Sequence, residues 1–284
     1  MSVFPKVIGY VPAYNAENFI LSTLQALAAQ TYPNFEILIC DDASSDQTWA
    51  LCQEFCESDS RFKVIRNSRN LGWFETSNQL WLQVSKDSSY CFCNPHDDHP
   101  GPEYITELVG LMEATPDSSI GIPGMKNVYS DGIVIDSFYT YASEIKDPVE
   151  RCFRIAQKDK HHWWAAYHGL YRSKFVQKVY PIRKLAFGEK EFSLDLVSML
   201  KMGFYGPFVT SDQILLTKIY RKSSVSSQWH HNSLNKTALW LLILEEIKKS
   251  PLSLKQKSEL SKKLNSLLIS RLVNRISSLF KKVG

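Results

Sequence analysis

Two adjacent carboxylates are the first residues in this sequence whose types and spacing could do chemistry. Asp97 and Asp98 lie in "NPHDDHPGP", directly after the apolar run "YCFC". Like charges this close repel each other and resist burial. Because Asp, Pro and Gly are common turn residues, a plain acidic turn is one interpretation. The other is a cation site, since hard divalent cations prefer carboxylate oxygens.

Polar side chains also follow the other apolar runs of the N-terminal half. The run "KVIGYV" leads into "PAYN", "FEILIC" leads into Asp41 and Asp42, and "FKVI" leads into "RNSRNLG". In open α/β sheets, ligands bind outside the carboxyl ends of the strands. Four polar strand ends therefore favour a ligand site over four unrelated turns. For Asp41 and Asp42, a turn or a helix-capping role is the competing interpretation.

The elements that must position these groups alternate between strand and helix. "ENFILSTLQALAAQT" places Ile20, Leu24 and Leu27 at helical spacing. "SSDQTWALCQEFCES" predicts a second helix with Ser44 or Ser45 as its N-cap. "WFETSNQLWLQVS" and "PEYITELVGLMEATP" predict two more helices. This alternation predicts an α/β fold with a mostly parallel sheet flanked by helices.

The middle section, roughly residues 120 to 185, is less regular. "GIPGMKNVYSDGIVIDSFY" predicts two strands around a Ser-Asp-Gly turn, and "PFVTSDQILLTKIY" predicts an extended segment. A cluster of aromatic and imidazole side chains lies between them: His161, His162, Trp163, Trp164 and His168. These could line a pocket for an acceptor sugar, or they could be ordinary buried aromatics with hydrogen-bonded polar tips.

Composition excludes several classes of protein. With 284 residues, 44% of them hydrophobic, the chain can build one large domain or two small ones. A net charge of only +4 argues against a nucleic-acid-binding surface. The six cysteines match no zinc module, and the start has no long apolar segment typical of a secretory signal. We therefore expect a reduced, cytoplasmic protein, with peripheral contact at the inner face of the membrane as an option.

The basic residues are concentrated in the C-terminal tail. From Lys236 onward the chain has eleven Lys or Arg residues and three Glu. The pattern predicts a helical extension over residues 231–284, with Leu260, Leu264 and Leu268 in one apolar stripe. The extension could be a packing helix with a solvated basic face. Alternatively, it could hold the protein against anionic lipid.

These strand ends could bind a nucleotide that carries a diphosphate. Its phosphate oxygens need a divalent cation, which one of two adjacent aspartates can bind while the other bonds a ribose hydroxyl. Asp41 or Asp42 could bond the base from the neighbouring strand end. The loop "PAYNAE" would enclose the nucleoside from the other side.

The motifs "VPAYNAE", "DDASSDQT", "NLGWFETSN" and "HDD…PEYI" occur here in an order and spacing that resemble the N-terminal half of a family 2 glycosyltransferase. The resemblance covers about residues 5 to 110 strongly and extends to about 225 more weakly. It implies the GT-A fold over residues 1–230, with a nucleotide-sugar-binding half (1–118) and an acceptor-binding half (119–230). It also implies inverting transfer of a sugar from a UDP-, GDP- or dTDP-sugar to a hydroxyl of a glycan or lipid-linked acceptor, as in polysaccharide biosynthesis.

The resemblance also assigns roles to individual residues. Asp97 would approach the ribose, and Asp98 would bind Mg²⁺ or Mn²⁺. The other residues of the nucleotide-sugar pocket would be Pro12, Tyr14, Glu17, Asp41, Asp42, Asn70 and Gly72, with Asp41 and Asp42 at the base. The family's common form has a further Asp where this sequence has Pro95. The metal site would then depend on Asp98, and His230 or His231 could complete it.

The catalytic base implied by the resemblance is a carboxylate at the start of a helix beside the acceptor. "FGEKEFSLDLVSML" offers Glu189, Glu191 and Asp195. Spacing to "GPFV" favours Asp195, and spacing to Gly203 favours Glu191. A base has to lie within hydrogen-bond reach of the acceptor hydroxyl.

Two other functions compete with a metal-dependent glycosyltransferase. A sugar nucleotidyltransferase would need a Gly-rich basic phosphate loop after the first strand, which "PAYNAENF" lacks. A non-catalytic sugar- or nucleotide-binding protein of the same fold would bind a nucleotide sugar without turnover. Pro95 and the unassigned base leave that alternative open.

Overall fold

The computed structural model describes residues 4–157, 163–221 and 229–280. The strands are β1 Val7–Ala13, β2 Phe35–Asp41, β3 Phe62–Arg66, β4 Tyr90–Cys93, β5 His99–Pro100, β6 Ile120–Val128, β7 Val134–Ser137, β8 Leu170–Arg172 and β9 Phe208–Ile219. The helices are α1 Ile20–Ala28, α2 Thr48–Ser58, α3 Trp73–Lys86, α4 Tyr104–Ala114, α5 Thr140–Glu144, α6 Pro148–Gln157, α7 Ser173–Val179, α8 Leu194–Tyr205, α9 Ser233–Lys249 and α10 Leu254–Phe280, with a 3₁₀ segment at Trp163–His168.

The strands form one mixed sheet in the order β3-β2-β1-β4-β8-β6-β9-β5, with β7 paired to β6. The β3-β2-β1-β4 part is parallel, as the alternation of strands and helices predicts. Beyond β4 the sheet is mixed, since β8 runs antiparallel to both β4 and β6, and β9 runs parallel to β6. The α/β fold flanked by helices is confirmed, and the parallel arrangement is confined largely to the N-terminal half.

Burial on both faces of the sheet explains why the first strands are almost continuously apolar. Val11 and Ile39 face a core that contains α1 and α4, whereas Tyr10 and Cys40 face a core that contains Trp81 of α3. Strands covered on both sides lose the alternation of polar and apolar residues that marks a half-exposed strand. The two helical layers hold the carboxyl edge of the parallel strands in place.

The C-terminal extension packs against the rest of the protein. Leu260 and Leu264 of α10 are fully buried in the larger core, and Lys263 Nζ lies 2.8 Å from Glu150 Oε2 of α6. The packing interpretation of the tail is therefore supported for the described part of α10. Contact of its basic face with a membrane stays a prediction. In the part of the chain that the structure describes, no helix is long and apolar enough to span a bilayer.

Truncating the buried side of α10 should destabilise the protein. Leu264→Ala removes a side chain with no exposure and should lower the free energy of unfolding by about 2–5 kcal/mol. Ile269→Ala is the matched control because Ile269 is 61% exposed, so its effect should stay within about 0.5 kcal/mol. Urea unfolding followed by circular dichroism measures both. Equal effects of the two substitutions would contradict the packing of α10.

Candidate functional site

The carboxyl edge of the sheet has a crevice where the chain changes direction. From β1 the chain continues to β2 and β3 on one side, and it returns to β4 on the other side of β1. The loops that follow β1 and β4 therefore diverge, which is the usual place for a ligand in such sheets. His96 Nδ1 lies 3.2 Å from the carbonyl oxygen of Pro12, so the loop after β4 contacts the end of β1. Tyr14, which follows β1, is 45% exposed.

Glu17 braces two neighbouring loops. Its Oε2 accepts a hydrogen bond from the Gln47 backbone N–H at 3.0 Å, at the start of α2, and its own N–H donates to Asp46 Oδ2 at 3.2 Å. The prediction that Ser44 or Ser45 is the N-cap of α2 is wrong, because α2 begins at Thr48 with Gln47 as N-cap. A carboxylate at a helix N-terminus is favourable, so Glu17 stabilises the start of α2. Its place in a nucleotide pocket stays a prediction.

Asp41 is a buried carboxylate at the end of β2. It has no exposure, and its Oδ2 forms an ion pair with Arg66 Nε at 2.9 Å. It also accepts from the Ser44 backbone N–H at 3.3 Å. Arg66 ends β3, so this pair ties the neighbouring ends of β2 and β3 together. The predicted contact of Asp41 with a nucleobase remains a prediction.

Asp42 orders the loop that precedes α3. Its Oδ1 accepts from Asn67 Nδ2 at 2.7 Å and from the Leu71 N–H at 2.9 Å, while Oδ2 accepts from the Gly72 N–H at 2.9 Å. Gly72 has φ +84°, a conformation that favours glycine, and its N–H also donates to Asn70 Oδ1 at 2.8 Å. Asn70 and Gly72 thus lie beside Asp42, at the edge where the resemblance places the nucleotide.

Each aspartate of the central pair has a basic partner from the end of β9. Asp97 Oδ2 lies 3.1 Å from Arg221 Nε. Asp98 has no exposure; its Oδ2 lies 3.2 Å from Lys218 Nζ, and its Oδ1 accepts from the Ile219 N–H at 3.2 Å. Asp97 lies in a turn and Asp98 directly follows it. The pair also carries ion pairs to Lys218 and Arg221, which a plain acidic turn does not require.

A buried histidine completes the charged cluster around Asp98. His168 is 6% exposed, and its Nδ1 has no hydrogen-bond partner among the described residues. That nitrogen lies 3.5 Å from Asp98 Oδ2. Tyr104 Oη donates to the His168 carbonyl oxygen at 2.8 Å, which fixes the backbone of the residue. The imidazole thus faces the same carboxylate oxygen as Lys218.

Burial dominates the electrostatics of the cluster. Burial raises the pKa of Asp98, the charge of Asp97 raises it further, and Lys218 opposes both effects. Burial lowers the pKa of His168 well below its usual value, and the charge of Lys218 lowers it further. A neutral imidazole is the form that can ligate a cation. The buried carboxylate needs a positive partner, and the Lys218 ammonium supplies one here.

Two donor atoms at Asp98 have the spacing that two ligands of one divalent cation would have. Two neighbouring ligands at about 2.1 Å from one ion lie roughly 3.0–3.4 Å apart, close to the 3.5 Å between Asp98 Oδ2 and His168 Nδ1. No three carboxylate, thiol or imidazole groups converge among the described residues. Mg²⁺ is commonly bound by one or two protein groups together with substrate phosphates and water. The set therefore fits a cation that is shared with a diphosphate.

His230 and His231 lie elsewhere in the structure. His230 Nδ1 is 2.7 Å from Glu189 Oε1, and the ring of His231 packs on Phe192 with 5.1 Å between centroids. The partners of the Asp98 carboxylate among the described residues are Lys218, Ile219 and His168, and not these two histidines. His161 and His162 lie outside the described residues, and Trp164 packs edge-on against His168 at 6.0 Å between centroids.

The two candidate bases differ in their surroundings. Asp195 lies in the first turn of α8 and lines a small cavity together with Trp73, Asn78 and Tyr167. Glu191 precedes α8 and forms an ion pair with Lys184 Nζ at 3.1 Å. The cavity distinguishes Asp195 from Glu191, and the assignment of the base stays a prediction.

Sequence reasoning missed the basic partners, Lys218 and Arg221. They are the polar residues at the end of the extended segment "ILLTKIYR". The rule applied to the first four strands, that polar residues at a carboxyl end point to a ligand site, would have identified them. The rule could not be applied to β9 from the sequence, because the sequence does not show the direction of this strand or its position in the sheet.

Solved structures place this architecture in a known class. The S. aureus protein TarS, residues 1–349 in complex with UDP-GlcNAc, superimposes with a TM-score of 0.71 at 20% identity, over 92% of this chain and 72% of TarS. The protein therefore has the GT-A fold. The family model described as Glycosyl transferase family 2 matches residues 10–175, more than half of the chain. The chain belongs to glycosyl transferase family 2.

Sequence relatives are named as glycosyltransferases. The glycosyltransferase GlyA of Streptococcus pneumoniae is 26% identical over 235 residues, which are 81% of this chain and 32% of GlyA. WfaP of Escherichia coli, a UDP-Glc:α-D-GlcNAc-diphosphoundecaprenol β-1,3-glucosyltransferase, is 41% identical over 103 residues, 36% of this chain and 39% of WfaP. The chain thus spans only about a third of the length of these relatives. Asp195, Lys218 and Arg221 lie outside the segment that the family model matches.

Proposed function

We propose that this protein transfers a sugar from a nucleotide-diphosphate donor to a hydroxyl group of a glycan or lipid-linked acceptor, with inversion at the anomeric carbon. The observation that carries the proposal is the group formed by the partly buried Asp97 and the buried Asp98 and His168 at the switch point of a GT-A sheet. A buried carboxylate is costly to maintain, and carboxylates at this edge are suited to hold a diphosphate through a divalent cation. Relatives that act from UDP-glucose support this donor class.

In the proposed reaction, the acceptor hydroxyl oxygen forms a bond to the anomeric carbon as the bond to the diphosphate oxygen breaks. Asp195 accepts the hydroxyl proton, and the nucleoside diphosphate leaves with the bonding electron pair. Asp97 would hold the ribose, and the loop ordered by Asp42 would hold the base. Asp98 would hold Mg²⁺ or Mn²⁺, whose charge, when the ion is bound, stabilises the departing diphosphate. A single displacement of this kind inverts the configuration.

The acceptor class is proposed from the same relatives. WfaP by its name acts on a sugar linked to diphosphoundecaprenol, and Trp164 lies in the half of the chain where an acceptor sugar would bind. Aromatic side chains present flat apolar faces against which a sugar ring can pack. We therefore propose a sugar hydroxyl on a lipid-linked or polysaccharide precursor as the group that is modified.

A thermal-shift screen tests the proposal directly. UDP-, GDP- and dTDP-sugars are added with Mn²⁺ or with EDTA, and the nucleotide sugar that stabilises the protein is then incubated alone to follow its slow hydrolysis. We expect one nucleotide class to raise the melting temperature more with Mn²⁺ than with EDTA, and to release nucleoside diphosphate. Stabilisation without any turnover would favour a non-catalytic binding protein. No stabilisation by any nucleotide sugar would overturn the proposal.

A further inference from the structure

We propose that His168 is the second protein ligand of the divalent cation at Asp98, and that Lys218 is a built-in cation that competes for the same position. The inference rests on the proposed function, because the cation would be shared with the donor's diphosphate. It assigns roles to two residues that neither the sequence motifs nor the resemblance assigned.

His168 is a buried imidazole whose Nδ1 has no hydrogen-bond partner among the residues that the structure describes. An unpaired polar atom in a buried place costs free energy, so such atoms are rare in stable proteins. Its Nδ1 faces Asp98 Oδ2 at 3.5 Å, and the rings of Trp164 and Tyr167 hold the imidazole edge-on at 6.0 and 5.8 Å between centroids. The nitrogen is therefore aimed at the carboxylate and held there. A shared cation would satisfy the nitrogen and the carboxylate together.

Lys218 supplies the charge at this position when no divalent cation is bound. Its ammonium lies 3.2 Å from the same Oδ2. An ammonium only donates hydrogen bonds, and it carries one positive charge, which balances one carboxylate. A divalent cation at Oδ2 would carry twice that charge and would repel the ammonium at this short distance. The two cations therefore exclude each other.

The Lys218 side chain contacts solvent and a tyrosine ring as well as Asp98. Its side chain is 19% exposed, so its flexible stem already reaches solvent. Its ammonium also lies 5.5 Å from the centre of the Tyr220 ring, within the range of a cation–π contact. The Tyr220 contact exists while the ammonium pairs with Asp98, so a bound divalent cation would have to drive the ammonium away from Asp98 towards solvent.

This arrangement couples the binding of the cation to the binding of the donor. The cation alone has to displace Lys218 and gains only two protein ligands in return. The cation together with a diphosphate gains phosphate oxygens as well, and the displaced ammonium becomes available to a phosphate. We therefore expect Mn²⁺ alone to bind weakly and to bind more tightly in the presence of UDP.

Titration of the full chain with MnCl₂, with free Mn²⁺ measured by electron paramagnetic resonance, tests the two assignments. Lys218→Met removes the competing cation and should tighten Mn²⁺ binding at least about tenfold. His168→Phe removes a ligand at similar packing and should weaken it by about 10- to 100-fold. Circular dichroism confirms that each variant is folded. The titrations are repeated with UDP to measure the coupling.

Two matched controls make the result specific. Lys63→Met removes the lysine of another ion pair, whose partner Glu36 lies at 3.0 Å. His231→Ala removes a histidine that the sequence analysis considered as a metal ligand. Neither control should change Mn²⁺ affinity by more than about twofold.

Unchanged or weaker Mn²⁺ binding in Lys218→Met overturns the role of Lys218, and unchanged binding in a folded His168→Phe overturns the role of His168. If nucleotide sugars still bind and turn over in that case, the inference fails while the proposed function stands. If the wild-type protein binds no nucleotide sugar, the proposed function fails as well.

Discussion

Asp98→Ala should lower the free energy of unfolding by about 3 kcal/mol, a large effect for a single crevice residue. Asp98 has no exposure and pairs with the Lys218 ammonium. Removing one member of a buried pair leaves an uncompensated charge, which is the costly event, whereas removing both members costs much less. Urea unfolding therefore should show that the double variant Asp98→Ala with Lys218→Met recovers most of the lost stability.

The same double variant separates folding from function. Because Asp98 is the proposed cation ligand, hydrolysis of the stabilising nucleotide sugar should fall at least about 10²-fold in both the single and the double variant. The control is the Glu36 and Lys63 pair on β2 and β3, which is partly exposed. Removing Glu36 or both members should change stability by less than about 1 kcal/mol and leave hydrolysis unchanged. A stable double variant with full activity would contradict the assigned role of Asp98.

Local pattern was sufficient to locate the aspartate pair and the strand ends. The order of apolar runs and helices predicts parallel strands, and parallel strands bring their carboxyl ends to one edge. For that reason Asp41, Asp42, Asp97 and Asp98 were expected at one edge, where the structure has them. Each inference of this kind uses neighbours within about ten residues in the chain and a rule about sheets.

The partners of these residues were not predictable, because they depend on contacts between distant segments. Lys218 reaches Asp98 across 120 residues of sequence, and it does so only because β9 runs parallel to β6 and ends at the same edge. Asp42 was expected to face a nucleobase, yet its oxygens accept backbone N–H groups from the loop before α3. Backbone donors have no signature in the sequence. The sequence alone therefore does not distinguish a buried carboxylate that orders a loop from one that binds a ligand.

The choice between the two candidate bases leads to the second large effect. Asp195→Asn should lower the rate of nucleotide release by about 10²- to 10⁴-fold, the usual contribution of a general base. The amide has nearly the same shape but does not accept the proton, so binding of the nucleotide sugar should stay within about threefold. The loss of a carboxylate from the first turn of α8 should cost no more than about 1 kcal/mol of stability. Nucleotide release and the thermal shift measure the two quantities on the same samples.

Glu191→Gln is the control that the structure itself provides. Glu191 lies four residues before Asp195, and its Oε1 lies 3.1 Å from Lys184 Nζ. Asp195 lines a small cavity together with Tyr167. The Lys184 ammonium occupies the Glu191 carboxylate oxygen, so Glu191 is less available to an acceptor hydroxyl. We therefore expect Glu191→Gln to keep its rate within about threefold of the wild-type protein. A large loss of rate in Glu191→Gln with little loss in Asp195→Asn would reverse the assignment, and it would move the acceptor to the side of α8 that faces Lys184.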